Sequence, residues 1–180
     1  MIINPVNIVG CGTIGSCLAL ELARGKLISE LNLFDYDVIN ENPSYPFLKK
    51  ECGIHKTKLI EFLCKKINPY VTIKSYLEKI TNPLKFQSFT IDCRDSKETN
   101  IGAQVRISLD GSIMYIDSIK RSNTEKDYYR YIAPRNEVYI NKAINIIIEY
   151  LKENKYNFHD LRLYDLKDDT ENIVKKETDK

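Results

Sequence analysis

Val9-Gly10-Cys11-Gly12-Thr13-Ile14-Gly15-Ser16 follows a short apolar run from Ile2 to Val9 and opens a segment whose residues Ile14, Leu18 and Leu22 recur at helical spacing. The order is strand, turn, helix. In such a turn the first glycine bends the chain, the second lets backbone N–H groups approach a phosphate, and the third lets helix and sheet pack closely. The helix N-terminus then faces the anion. Three glycines at this spacing are common by chance, so the surroundings decide. A second strand, Leu31-Asn32-Leu33-Phe34, ends in Asp35, twenty residues beyond Gly15. Its carboxylate is expected at the C-terminal edge of the sheet, accepting from ribose hydroxyls. The stretch predicts a nucleotide-binding α/β fold without naming the nucleotide. The bland alternative is an ordinary βα turn followed by a solvated aspartate.

Outward from this turn the βαβ rhythm continues. Leu59, Ile60, Leu63, Cys64 and Ile67 fit one face of a helix over Lys56 to Ile67, stopped by Asn68-Pro69. Val71 to Tyr76 and Phe89 to Asp92 read as strands, and Asp95 or Ser96 caps a short helix running toward Val105. Ile113 to Ile116 completes five parallel-type strands, Ile140, Ile144, Ile147, Ile148 and Leu151 stripe a final helix, and Leu161 to Leu166 reads as a last edge strand. The expected fold is Rossmann-like and doubly wound, a mainly parallel sheet with helices on both faces. Asp37 to Lys50, holding Asn40, Asn42, Pro43 and Pro46, is long and irregular, as functional loops in such folds are. Tyrosine-rich Ser122 to Arg135 reads as an edge strand or packed loop rather than a base-binding surface.

The chain has 180 residues, enough for one well-buried domain, expected over 1–166, with 167–180 a charged, disordered tail. Lys and Arg number 27 against 25 Asp and Glu, a net charge of +2 that gives no case for nucleic acid or an anionic membrane. The sequence lacks a long apolar run or secretory signal, so a cytoplasmic location is expected. The five cysteines, Cys11, Cys17, Cys52, Cys64 and Cys93, form neither a C-x-x-C pair nor an even disulfide framework and read as reduced thiols. Cys17, Cys64 and Cys93 read as small buried hydrophobes. Cys11 lies beside a helix N-terminus that could lower its pKa, but packing into the turn is the preferred reading. His55 and His159 are too isolated for a metal site.

Read in series, Gly10-x-Gly12-x-x-Gly15-Ser16, Leu33-Phe34-Asp35-Tyr36-Asp37-Val38-Ile39, Gly53-x-x-Lys56, Ile67-Asn68-Pro69 and Asp92-Cys93-Arg94-Asp95 resemble the ThiF/MoeB/HesA family, the adenylating fold of ubiquitin-activating enzymes. The resemblance covers about the first hundred residues. It implies ATP and Mg, adenylyltransferase chemistry, and a partner with a free C-terminus: a small ubiquitin-like or sulfur-carrier protein, or a peptide. It also implies a homodimer or heterodimer. The implied cofactor-binding residues are Gly10, Gly12, Thr13, Ile14, Gly15, Asp35, Asp37 and Lys56. Lys56, Asn42 and Asp95 are the implied catalytic residues, with Lys56 neutralising the α-phosphate and Asp95 holding Mg. Asp37 and Asn42 belong to the loop that touches the phosphates. Cations placed around a displaced polyphosphate are what such a substitution needs.

Two family features are absent. An arginine expected about three residues after the loop asparagine is replaced by Tyr45-Pro46, and only Met1 to Pro5 precede the first strand where an arginine-bearing helix is expected. Lys49 and Lys50 are candidate replacements, although lysine cannot reproduce an arginine fork. No cysteine follows Cys93, so thioester or persulfide chemistry has no nucleophile in the second half. Three functions therefore stay open: an adenylating enzyme, a non-catalytic nucleotide-binding module (the inactive half of a heterodimeric activating enzyme, or a regulatory partner that keeps the pocket), and a nicotinamide-dependent oxidoreductase using the same glycine turn.

Overall fold

The first strand, β1 (Val6–Val9), is buried along its whole length, as a strand flanked on both sides and covered on both faces must be. It leads into α1 (Thr13–Arg24), β2 (Glu30–Phe34), a 3₁₀ turn (Lys49–Glu51), α2 (Lys56–Ile67), β3 (Thr72–Tyr76) and β4 (Phe89–Asp92). After these come β5 (Val105–Asp110), β6 (Ile113–Ser118), α3 (Glu137–Lys152), β7 (Leu161–Asp165) and β8 (Thr170–Val174). The structure is a computed structural model and describes residues 5–82, 88–94, 101–110, 112–118, 137–153 and 161–174. Among the described residues no helix is long and apolar enough to cross a membrane.

The eight strands form one sheet in the order β3-β2-β1-β4-β5-β6-β7-β8. β3, β2, β1, β4 and β5 pair in parallel, and β6, β7 and β8 extend the sheet as antiparallel strands. From β1 the chain winds out through β2 to β3, then restarts on the other side of β1 with β4. The reversal opens a crevice at the C-terminal ends of β1 and β4, the position where open α/β sheets take their ligands. This is the Rossmann-like α/β architecture expected, except that the described helices lie on one face of the sheet where helices on both faces were expected.

Three local expectations need correction. The fifth parallel strand is β5, not Ile113 to Ile116, which pairs antiparallel with β5 from Asp110↔Ile113 to Val105↔Ser118. Val105 and Ile107 alternate into the core, and Gly111-Ser112 between the strands is too short for a crossover. The short helix toward Val105 does not reach 101–104, which is irregular, and its expected start lies outside the described residues. The charged tail is ordered at least as far as β8, which pairs with β7 and receives bonds from Arg162 and Tyr164 on Glu171. Few apolar residues suffice there because an edge strand keeps one side in water. Residues 175–180, His159 and Ser122 to Arg135 lie outside the described residues.

α1, α2 and α3 pack over one face of the sheet, where Ile14, Leu18, Ile60, Ile144 and Ile147 bury against Ile8, Leu33, Ile91 and Ile116. On the other face Val9, Phe34, Ile80, Ile101 and Ala103 form a second cluster, with the Phe34 and Tyr76 rings stacked at 4.5 Å. Beneath it runs a buried polar row in strand register. Asn32 Nδ2 donates to Asn7 Oδ1 at 3.0 Å, and Asn7 Nδ2 donates to Thr90 Oγ1 at 3.0 Å. A one-residue slip would set these amides against aliphatic neighbours, so the row fixes the register of β2, β1 and β4.

The third glycine is needed for packing. A Cβ on Gly15 would overlap the Gly10 carbonyl oxygen, which lies against the first turn of α1. Gly15→Ala is therefore expected to lose at least about 3 kcal/mol of stability in urea unfolding; wild-type stability would contradict this packing.

α2 is tied to β3 through Glu61, whose carboxylate accepts from Lys65 at 2.6 Å, Ser75 Oγ at 2.6 Å and Lys58 at 3.2 Å. Burial alone would raise this carboxyl, but the three donors outweigh it and hold it at about 2 instead of 4.5. A depressed carboxyl stabilises the fold above its unfolded pKa and loses that contribution as pH falls toward the folded value. Glu61→Gln should accordingly cost on the order of 2 kcal/mol at pH 7 and converge on wild type between about pH 4.5 and 2. Urea midpoints across that range check the sign.

Candidate functional site

At the C-terminal end of β1 the backbone N–H of Gly10 still bonds to Phe34 O at 2.8 Å, after which the chain turns with Gly10 at φ +90°. Only glycine takes that conformation readily, and a Cβ there would also lie 2.8 Å from Arg94 N, across the crevice. Gly12 is the N-cap of α1 and supplies no side-chain cap, the first turn holds no acidic residue, and a Cβ on Gly12 would meet nothing within 4 Å. The positive end of a helix thus faces open space. Thr13 and Ile14 begin that helix and are both buried, so what they offer a ligand is backbone.

Asp35 gathers the crevice. One carboxylate oxygen accepts from Cys11 N at 2.7 Å and the other from Asp37 N at 2.8 Å. Burial pushes this carboxyl above its usual range, the Asp37 N–H, Lys56 and the Cys11 N–H pull it back, and the Asp37 charge opposes them. Asp37 in turn accepts from Lys56 Nζ at 2.7 Å on its side chain and from Lys56 N at 3.1 Å on its carbonyl. The glycine turn, Asp35, Asp37 and Lys56 therefore form one hydrogen-bonded chain from α1 to the start of α2. Such a cluster can hold a polyphosphate between a helix terminus and an ammonium while Asp35 keeps lone pairs for hydroxyl donors.

The other expected site residues divide. Asn42 is exposed, its backbone N–H bonded to Asn40 Oδ1 at 3.0 Å, and among the described residues its side chain makes no bond to Asp35, Asp37 or Lys56. Asp95 lies outside the described residues. Among the described residues no group of three or more His, Cys, Asp or Glu could hold a metal ion. Tyr45, standing where an arginine was expected, is 37% exposed; burial, Cys17 and Glu137 raise its hydroxyl while Arg24 lowers it. Phe47 anchors the same loop in the core, and exposed Lys49 and Lys50 sit in the 3₁₀ turn. His55 is the N-cap of α2, with Nδ1 buried and without a bond among the described residues.

Burial raises the Cys11 thiol well above its ordinary value, with Asp35 adding to it. The helix terminus does not activate it, and the packing role prevails. Cys64 is raised to about 12 and Cys93 further, again first by burial.

Sequence reading passed over Arg94. It clamps Asp92 with Nε to Oδ1 and Nη2 to Oδ2, both at 2.9 Å, and donates Nη1 to Ile80 O at 2.8 Å. A buried charge pair persists when its remaining donors are satisfied, as here. The signal was present: residues two apart at a strand end share one face.

The model of the ThiF family matches residues 4–107, the span from β1 into β5 that carries this cluster. "Ubiquitin-like modifier-activating enzyme 5" of Oryza sativa subsp. japonica is 34% identical over 108 residues, covering 57% of this chain and 25% of that protein. Its namesake in Bombyx mori is 39% identical over 92 residues, covering 48% of this chain and 22% of that protein. This chain thus spans about a quarter of the length of these relatives. Among solved structures, E. coli MccB with ATP superposes with a TM-score of 0.72 at 16% identity, over 94% of this chain and 62% of that one. PaaA superposes with a TM-score of 0.68 at 16% identity, over 94% of this chain and 63% of that one. Likeness at such identity extends to the fold, and the family match spans the residues that build the crevice. The chain belongs to the ThiF family.

Proposed function

We propose that this chain binds ATP at the glycine turn and adenylates the C-terminal carboxylate of a small ubiquitin-like or sulfur-carrier protein, or of a peptide. The observation that carries the reading is the linked Asp35–Asp37–Lys56 cluster beside the open N-terminus of α1. In this reading the phosphates lie over Gly12, Thr13 and Ile14, and Asp35 holds the ribose. A carboxylate oxygen attacks the α-phosphorus, and the bond to the bridging oxygen breaks, releasing pyrophosphate and leaving an acyl-adenylate. Lys56 exchanges Asp37 for the α-phosphate as its charge grows, a task suited to a flexible ammonium. Asp95 is assigned from the family pattern to a magnesium ion, which would screen the polyphosphate. Asn42 is assigned to the same loop from the family pattern. The reading carries with it a dimer and a cytoplasmic location.

Family membership favours ATP over a nicotinamide cofactor. MccB has been solved with ATP and with MccA, which is in keeping with a nucleotide and a peptide acceptor for this fold. A second reading is a nucleotide-binding partner without catalysis, and Tyr45 favours it: a phenol stands where a cationic phosphate clamp was expected.

Two variants separate these readings. Gly12→Ala is expected to unfold within about 1 kcal/mol of wild type yet bind Mg-ATP at least tenfold more weakly, because its new methyl fills the space left for phosphate. Lys56→Ala should reduce ATP–pyrophosphate exchange, supplied with a carboxyl-terminal acceptor, by about 100-fold while ATP affinity falls far less. Exchange absent in wild-type protein that binds ATP, with every acceptor tried, would leave the binding-only reading.

A further inference from the structure

Tyr36 is a large aromatic residue left 53% exposed between the two carboxylates of the site, Asp35 and Asp37. Its neighbours one layer down are closed: Phe34 and Tyr76 stack at 4.5 Å inside the cluster of Val9, Ile80, Ile101 and Ala103. Arg94 Nη1 holds Ile80 O at 2.8 Å, which pins the segment after β3 across the strand ends. That segment carries Lys79, whose ammonium lies 5.7 Å from the centre of the Tyr36 ring. A flat, amphipathic face thus stands beside Asp35, with a cation orienting it.

We infer that Tyr36, steadied by Lys79, is the wall against which the base of the bound nucleotide stacks, adding a base-dependent share of affinity to the phosphate cradle. The inference rests on the nucleotide reading above. In that reading a ribose held by Asp35 leaves its base beside the loop after β2, where Tyr36 offers an exposed aromatic surface. Stacking on a ring face accepts any base, so the wall selects for the presence of a base and leaves its identity to other contacts. Lys79 is a positioning residue here: it acts on the ring, not on the nucleotide.

Calorimetric titration of the intact chain with Mg-ATP and with Mg-tripolyphosphate, which has no base, tests this. Tyr36→Ala should weaken ATP by about tenfold and leave tripolyphosphate unchanged, while Tyr36→Phe keeps wild-type affinity for both. Lys79→Gln should weaken ATP by about threefold, and Lys79→Arg should restore it. Equal ATP affinity in Tyr36→Ala and wild type overturns the wall while the nucleotide site stands. Equal losses for ATP and tripolyphosphate in Tyr36→Ala also overturn it, since they mark a damaged cradle. Wild-type protein that binds tripolyphosphate as tightly as ATP removes the base-dependent share altogether, and wild-type protein that binds neither brings down the nucleotide reading and this inference with it.

Discussion

The Asp35 carboxylate, shared between the N–H of Cys11 and the N–H of Asp37, is the interaction on which the site depends. Hydrogen bonds to a charged acceptor contribute about 1.5–3 kcal/mol each, and here they offset part of the burial that keeps this carboxyl above its usual range. One oxygen orients the glycine turn and the other starts the loop that delivers Lys56. Loss of this group would free both halves of the crevice while leaving the sheet below intact. The same carboxylate is therefore a structural brace and, in the proposed function, the ribose acceptor.

The brace works because the sheet presents its ends in register. The row Asn32–Asn7–Thr90 fixes β2, β1 and β4 against one another, and the Asp92–Arg94 clamp fixes the far wall of the crevice. Gly10 lies directly against Arg94, and Gly15 against the carbonyl of Gly10. Helix, turn and far wall are thus held by backbone contacts with no room for a side chain, while Gly12 between them faces open space. The three glycines carry three separate requirements: a left-handed turn, an approach path and a close contact.

Much of this was legible in the sequence because the parallel half is locally determined. α2 runs from Lys56 to Ile67 and β4 from Phe89 to Asp92, the bounds that periodicity and the Asn68-Pro69 stop predict. Asp35 stood out by its spacing from the glycine turn and Lys56 by the family resemblance, and they meet through Asp37, whose bracing of the lysine neither reveals. The antiparallel half was less legible. A strand such as β5 alternates like any other, and whether its neighbour pairs parallel or antiparallel is settled by the length of the connection. β8 is charged and short, so composition read it as a tail, whereas its order comes from Glu171 bonding to Arg162 and Tyr164 across the ladder.

The most direct test of the central claim is a titration of ¹⁵N-labelled protein with Mg-ATP, followed by amide chemical shifts. The account predicts that the largest shifts fall on Gly12, Thr13 and Ile14 at the start of α1 and on Asp37 and Lys56, with β7 and β8 unmoved. Shifts concentrated away from the β1–β4 crevice, or none at saturating ATP, would contradict it.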